Sequence, residues 1–155
     1  MRRKDREVSD VNEIQNILDA CNVCRIGMYD QNEIYILPLN YGYVYENGVL
    51  ELYFHGAGEG RKIDAVRQNS SVGFEMDCNH ELTEGKEACN YSYLYSSIIG
   101  NGTIELLETP DDKMKALSIL MKHQTGKEFS FPESAMSAVA VLKLTVTKFT
   151  CKQHK

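Results

Sequence analysis

The run His55-Gly56-Ala57-Gly58-Glu59-Gly60-Arg61-Lys62 brings together the residue types that phosphate binding requires. Its glycines allow close backbone approach, a helix starting near Arg61 would aim free N–H groups at an anion, and Arg61 and Lys62 supply two cations. The glycine spacing matches neither G-x-x-x-x-G-K-[ST] nor a G-x-G-x-x-G after the expected strand, so nucleoside triphosphates and a Rossmann dinucleotide are not indicated. Alone, the run reads equally well as a flexible turn with solvated charges. His55 is open to two readings, a satisfied strand-end histidine or a ligand or proton donor.

A second place for chemistry is Pro38-Leu39-Asn40, inside the extended segment Ile34 to Tyr43. Pro38 cannot donate to a β-ladder, so this strand must lie at an edge, carry a bulge or be interrupted there, and such a break exposes backbone to a ligand. The Asn40 amide on its own reads as a bond to its own bulge backbone. Ser96 and Ser97 lie in a later strand, where neighbours face opposite sides, and read on their own as ordinary strand residues with one facing solvent. Cys21 and Cys24 form a lone C-x-x-C, and Cys78, His80 and Cys89 lack zinc spacing; Cys21 is expected to close a helix and Cys24 to pack in a strand. Tyr41, Tyr43, Tyr45 and Tyr53, like Tyr91, Tyr93 and Tyr95, read as sheet-packing residues. His80 falls in a polar loop, His123 near a helix C-terminus and His154 in a frayed tail.

The elements that must position these residues follow from periodicity. Asp10 with Glu13 resembles a capping box for a helix running to about Ala20. Val23 to Met28, Ile34 to Tyr43 and Val49 to His55 form a three-strand meander, and the glycine run then breaks the strand before a short helix near 61–69. Ser71 to Met76 makes a fourth strand, Asp77 to Ala88 a polar loop, and Tyr91 to Leu107 a long strand bent at Gly100 and Gly102. A helix over 110–125 begins at Thr109-Pro110 and ends at Gly126, and a closing strand spans Ala138 to Thr150. The fold class is therefore mainly β with a few helices, about six strands forming a small barrel.

At 155 residues, 43% of them hydrophobic and 25% charged, the chain makes one domain that folds along its whole length. A net charge of −5 argues against a nucleic-acid surface. The basic start Arg2-Arg3-Lys4-Asp5-Arg6-Glu7 has no apolar stretch behind it, unlike a targeting peptide, and no segment approaches the roughly 18 apolar residues of a membrane span. Five irregularly spaced cysteines indicate reduced thiols and a cytoplasmic protein.

Taken in order, Arg25-Ile26-Gly27-Met28, Pro38-Leu39-Asn40-Tyr41-Gly42-Tyr43, Leu52-Tyr53-Phe54-His55-Gly56-Ala57, Gly60-Arg61-Lys62, Phe74-Glu75-Met76-Asp77 and Tyr95-Ser96-Ser97-Ile98-Ile99-Gly100-Asn101-Gly102 form a set that resembles the pyridoxamine 5′-phosphate oxidase superfamily, most closely its nitroimidazole-resistance branch. The resemblance implies a split β-barrel whose homodimer holds FMN in two clefts between subunits. It places Lys62 and Arg61 at the FMN phosphate, Ser96 or Ser97 on the phosphate or ribityl chain, Pro38, Leu39 and Asn40 along the polar edge of the flavin ring, and His55 near the phosphate loop. No segment matches the C-terminal substrate-phosphate motif of the well-characterised oxidases, so vitamin B6 oxidation is not expected.

The expected function is electron transfer through FMN from a reduced donor to a small flat acceptor such as a nitroaromatic, with no dedicated acid or nucleophile. The alternative is a flavin- or haem-binding protein without reductase activity, because some split-barrel relatives hold haem and His55, His80 and the tyrosines are potential axial ligands.

Overall fold

The computed structural model describes residues 3–155, so Met1 and Arg2 of the basic start lie outside the described residues. The elements are β1 (Glu7–Val8), α1 (Val11–Ala20), β2 (Val23–Asp30), β3 (Glu33–Asn40), β4 (Gly42–Glu46), β5 (Val49–Ala57), α2 (Arg61–Gln68), β6 (Ser71–Thr83), β7 (Ser92–Leu106), α3 (Pro110–Thr125) and β8 (Val139–His154). The strands form one antiparallel sheet in the order β3-β2-β6-β7-β8-β5-β4, with β1 also paired to β8. Two-residue turns with positive φ at Gln31-Asn32 and Asn47-Gly48 close the β2–β3 and β4–β5 hairpins. Both turns match the right-handed twist of their strands.

β3 and β4 are consecutive in the chain yet stand at opposite ends of the sheet, separated by Tyr41 alone. The sheet curls until β3 meets β5, leaving a barrel split along that seam. Of the three alternatives for Pro38 the structure takes the first, an edge strand: β3 runs unbroken through Pro38, Leu39 and Asn40, and the interruption falls at Tyr41. Pro38 is tolerated because β3 is an end strand with only β2 beside it, where a missing N–H costs no ladder bond. Tyr41 breaks the strand because its fully buried ring draws the chain inward, with the hydroxyl donating to the Leu18 carbonyl at 2.7 Å. Gly42 follows because α3 lies directly on it, and any Cβ there would overlap the Leu120 backbone.

This division, together with the two-residue β1, makes eight strands where about six were expected. Three other boundaries also move. β5 continues through Gly56 and Ala57, which pair with Ala140 and Val139. β6 continues to Thr83 instead of becoming a loop at Asp77, crossing a register shift between Cys78 and Glu81 in which Asn79 takes φ 57°. β8 holds His154, opposite Tyr95, so that histidine is not in a frayed tail. The expected bend at Gly100 and Gly102 is present as a register shift between Asn101 and Gly102.

The barrel interior is filled by Ile26, Met28, Leu50, Leu52, Phe54, Phe74, Met76, Ile98, Leu142 and Leu144, with Ile14, Ile17 and Leu18 of α1 packed onto the same core. Each such side chain contributes about 1.5–3 kcal/mol by leaving water. A second cluster joins Ala116 and Leu117 of α3 to Met136 and Val141. Cys21 caps α1 and Cys24 is buried in β2, as expected, and every cysteine is a free thiol. Burial pushes the Cys24 thiol up to about 12 and the Cys151 thiol up to about 11, so neither is a ready nucleophile at neutral pH. No helix among the described residues is long and apolar enough to cross a membrane.

Asp10 caps α1 by accepting from the backbone N–H groups of Asn12 at 2.9 Å and Glu13 at 3.0 Å. Asp10→Ala is expected to lower stability by about 0.5–2 kcal/mol. Urea denaturation checks this, and an unchanged midpoint would show that the cap contributes nothing.

Candidate functional site

β5 carries His55, Gly56 and Ala57 to the end of the barrel, and Gly58-Glu59-Gly60 then turns the chain into α2. Gly60 has φ 114°, a conformation open to glycine but strained for other residues, and its carbonyl accepts from Ile63 N at 2.8 Å and Asp64 N at 3.2 Å to start the helix. The half-buried Lys62 side chain folds back so that its ammonium occupies the space a side chain on Gly56 would fill. Among the described residues Lys62 has no hydrogen-bond or ion-pair partner, and burial lowers its pKa from the ordinary lysine value. A partly desolvated cation without a counter-charge is electrostatically incomplete, and an anion completes it.

The two cations adjacent in sequence have separate fates. Arg61 turns away, donating from Nε to Asp30 at 2.6 Å and from Nη2 to Glu33 at 3.4 Å, with its guanidinium 4.4 Å from the Tyr35 ring centroid. Its charge is therefore already shared with the β2–β3 turn. Asn40 donates to the Asn22 carbonyl at 3.0 Å and to Gln124 Oε1 at 3.3 Å, tying the end of β3 to α3 rather than to a bulge of its own. Pro38 and Asn40 are exposed on one side of β3, while Leu39 faces the core. His55 is exposed on the face opposite Phe54.

His55 and Lys62 thus lie together at the end of β5, and Arg61 ties the following helix to the start of β3, whereas Pro38, Leu39 and Asn40 lie toward the other end of β3. Ser96 and Ser97 do not join them. They sit on β7, which is separated from β3 by β2 and β6 and from β5 by β8. Ser96 is fully buried toward the core and accepts from Asn79 Nδ2 at 3.4 Å. Ser97 lies on the opposite face, between Asp77 and Lys152.

The same outer face carries a charged network absent from the expected site. Arg25 Nη1 donates to Asp77 at 2.5 Å and to Glu75 at 3.1 Å, and His80 Nε2 lies 2.7 Å from the other Asp77 oxygen. Burial first, and then Asp77, raise the Glu75 pKa. The alternation Glu75-x-Asp77 was the available signal, since it puts two carboxylates on one side of a strand. Among the described residues no group of three or more His, Cys, Asp and Glu side chains is placed to hold a metal ion.

An eight-stranded antiparallel sheet curled into a split barrel, with a glycine loop and unpaired lysine at its seam, defines a class of protein that comparison makes specific. The family model for pyridoxamine 5′-phosphate oxidase matches residues 10–153, and the chain belongs to that family. A protein assigned to 5-nitroimidazole antibiotic resistance from Bacteroides thetaiotaomicron is 32% identical, with TM-score 0.80 over 95% of this chain and 86% of its own. A FAD- and haem-binding protein from Mycobacterium smegmatis shares the fold at 16% identity, with TM-score 0.82 over 97% of this chain and 74% of its own. A flavocytochrome from Azotobacter vinelandii does so at 19% identity, with TM-score 0.80 over 100% and 72%. A search of curated proteins returns no match.

Proposed function

We propose that the protein is an FMN-dependent oxidoreductase that passes electrons from a reduced donor to a small flat acceptor, with nitroimidazoles as the leading acceptor class. The observation that carries this reading is the Lys62 ammonium, held over Gly56 beside a glycine loop and without a partner among the described residues. Family membership, the nitroimidazole assignment of the 32% identical relative and the flavin named for two structural neighbours all support it. FMN is favoured over FAD because the chain offers one phosphate loop. When bound, the flavin supplies the redox chemistry. The chain would hold its phosphate with Lys62 and the loop N–H groups, set its ring against the backbone of Pro38-Leu39-Asn40, and keep water from one ring face.

The working form is a homodimer. Ser97 is set apart from the seam by β8 on one side and by β6 and β2 on the other, so the serine role that the resemblance implies would fit a cleft shared between two copies. The free thiols fit a reducing, cytoplasmic setting.

Mass spectrometry of cofactor released from the purified protein is expected to show FMN. Anaerobic stopped-flow is then expected to show flavin reduction by NADH or NADPH and reoxidation by a nitroimidazole. FAD, or no flavin after FMN supplementation, would remove the site assignment. Dithionite-reduced protein that leaves the drug untouched would remove the reductase reading and leave a binding protein. Two neighbours named for haem favour haem as the second ligand to test, and a Soret band in place of the twin flavin bands would identify it.

A further inference from the structure

Cys21 and Cys24 form the lone C-x-x-C of the sequence, yet the thiol that Cys21 touches belongs to a residue far along the chain. Cys21 is buried at the end of α1, where its backbone N–H donates to the Ile17 carbonyl at 3.1 Å. Cys78 reaches the same carbonyl from β6, with its Sγ 4.0 Å away. Alternation along β6 sends Val72, Phe74 and Met76 inward and then Cys78, which packs against the core cluster that contains Cys21. There the two thiols meet, the Cys21 S–H donating to the Cys78 sulfur. Cys24, by contrast, is fully buried in β2 with its Sγ at the Arg25 carbonyl. Cys78 is also the more accessible member of the pair, because it stands half-buried at the register shift beyond which β6 and β7 go on as a two-stranded arm.

Two thiols in contact, one within reach of solvent and the other buried behind it, are arranged as a peroxide requires to make a disulfide. We propose that Cys21 and Cys78 form a reversible disulfide site, closed by a peroxide and reopened by a dithiol, that fastens the end of α1 to β6. The Cys78 thiolate attacks one peroxide oxygen, the O–O bond breaks, and the departing hydroxide takes a proton and leaves as water. The Cys21 sulfur then attacks the resulting sulfenic sulfur, forming the S–S bond and expelling a second water that carries away the Cys21 proton. Two thiols are oxidised and one peroxide is reduced. Burial raises the Cys78 pKa, the donating Cys21 thiol lowers it and Asp77 raises it again, with Glu75 on the same strand and Cys151 on β8 also acting on the pair. Thiolate is therefore scarce at neutral pH, so closure is slow there and quickens as pH rises. The site is independent of the flavin reading above.

The test treats the purified protein with hydrogen peroxide, alkylates the remaining thiols under denaturing conditions and maps the peptides. The mass should fall by two hydrogens, alkylatable thiols should drop from five to three, and the peptides carrying Cys21 and Cys78 should stay joined until dithiothreitol separates them. Cys78→Ser, checked for folding by circular dichroism, should form no cross-link, whereas Cys89→Ser, which alters an exposed thiol, should cross-link as wild type does. The joined protein should also unfold at higher urea than the reduced form, because the bond closes the long loop between α1 and β6. An unchanged midpoint would show that the bond fastens nothing. A bond between Cys21 and Cys24, a cross-link that survives in folded Cys78→Ser, oxidation confined to Cys89, or five thiols still free after peroxide would each overturn the proposal. If Cys78→Ser fails to fold, the wild-type peptide map decides alone.

Discussion

Lys62→Ala is expected to weaken FMN binding by roughly ten- to a hundred-fold while leaving the barrel folded. The side chain is half-buried, contacts Gly56 and has no acceptor among the described residues, so truncation breaks no ion pair there. A charge-assisted bond to a phosphate oxygen contributes about 1.5–3 kcal/mol, which sets that range. The pH dependence has a definite sign. Burial disfavours the charged form of Lys62 and so lowers its pKa. Phosphate binds that charged form, so affinity should weaken as pH rises through the Lys62 pKa, and the variant should lose this dependence. Quenching of FMN fluorescence measures both effects. Equal affinity in a folded variant would take Lys62 out of the site.

Tyr41→Ala should be the most damaging single truncation for the fold, at about 3–5 kcal/mol. The ring is fully buried at the one residue between the two ends of the sheet, with its centroid 4.7 Å from that of His123 and 6.5 Å from that of Phe54. Its hydroxyl holds the Leu18 carbonyl at 2.7 Å, so the same residue anchors α1. Tyr41→Phe separates the contributions: it keeps the ring and leaves a buried carbonyl short of a donor, a loss of about 1–3 kcal/mol. Urea melts of both variants read the difference, and a Tyr41→Ala protein with wild-type stability would show that Gly42 and α3 suffice to turn the chain.

Much of this architecture was legible because local chemistry and tertiary demand agree. The helices starting at Asp10, Arg61 and Thr109 carry their own start signals, and the apolar spacing behind each matches the face it buries. The phosphate loop was legible too, because glycines and cations announce themselves by type. Other features depend on partners far away in the chain. Residues 77–83 are polar because their arm has solvent on its faces, so only pairing with β7 reveals a strand. Arg61 and Lys62 look equivalent until Asp30 and Glu33, which are remote in sequence, claim the first of them. The position of Ser97 across the barrel depends on strand order, which no local pattern encodes.

Pro38 has a further consequence for how the chain behaves among its neighbours. β3 is an end strand, and an end strand offers a row of unpaired amides and carbonyls to any extended segment that approaches. The exposed Ile34 and Ile36 beside that row would make such pairing adhesive. Pro38 pairs opposite Arg25, where its ring nitrogen faces the open side and has no hydrogen to give. The missing donor interrupts the row near its middle, so another strand cannot form a continuous ladder along it. The proline that is harmless to the barrel therefore guards its open edge against aggregation, at the same stretch where backbone groups remain available to a ligand.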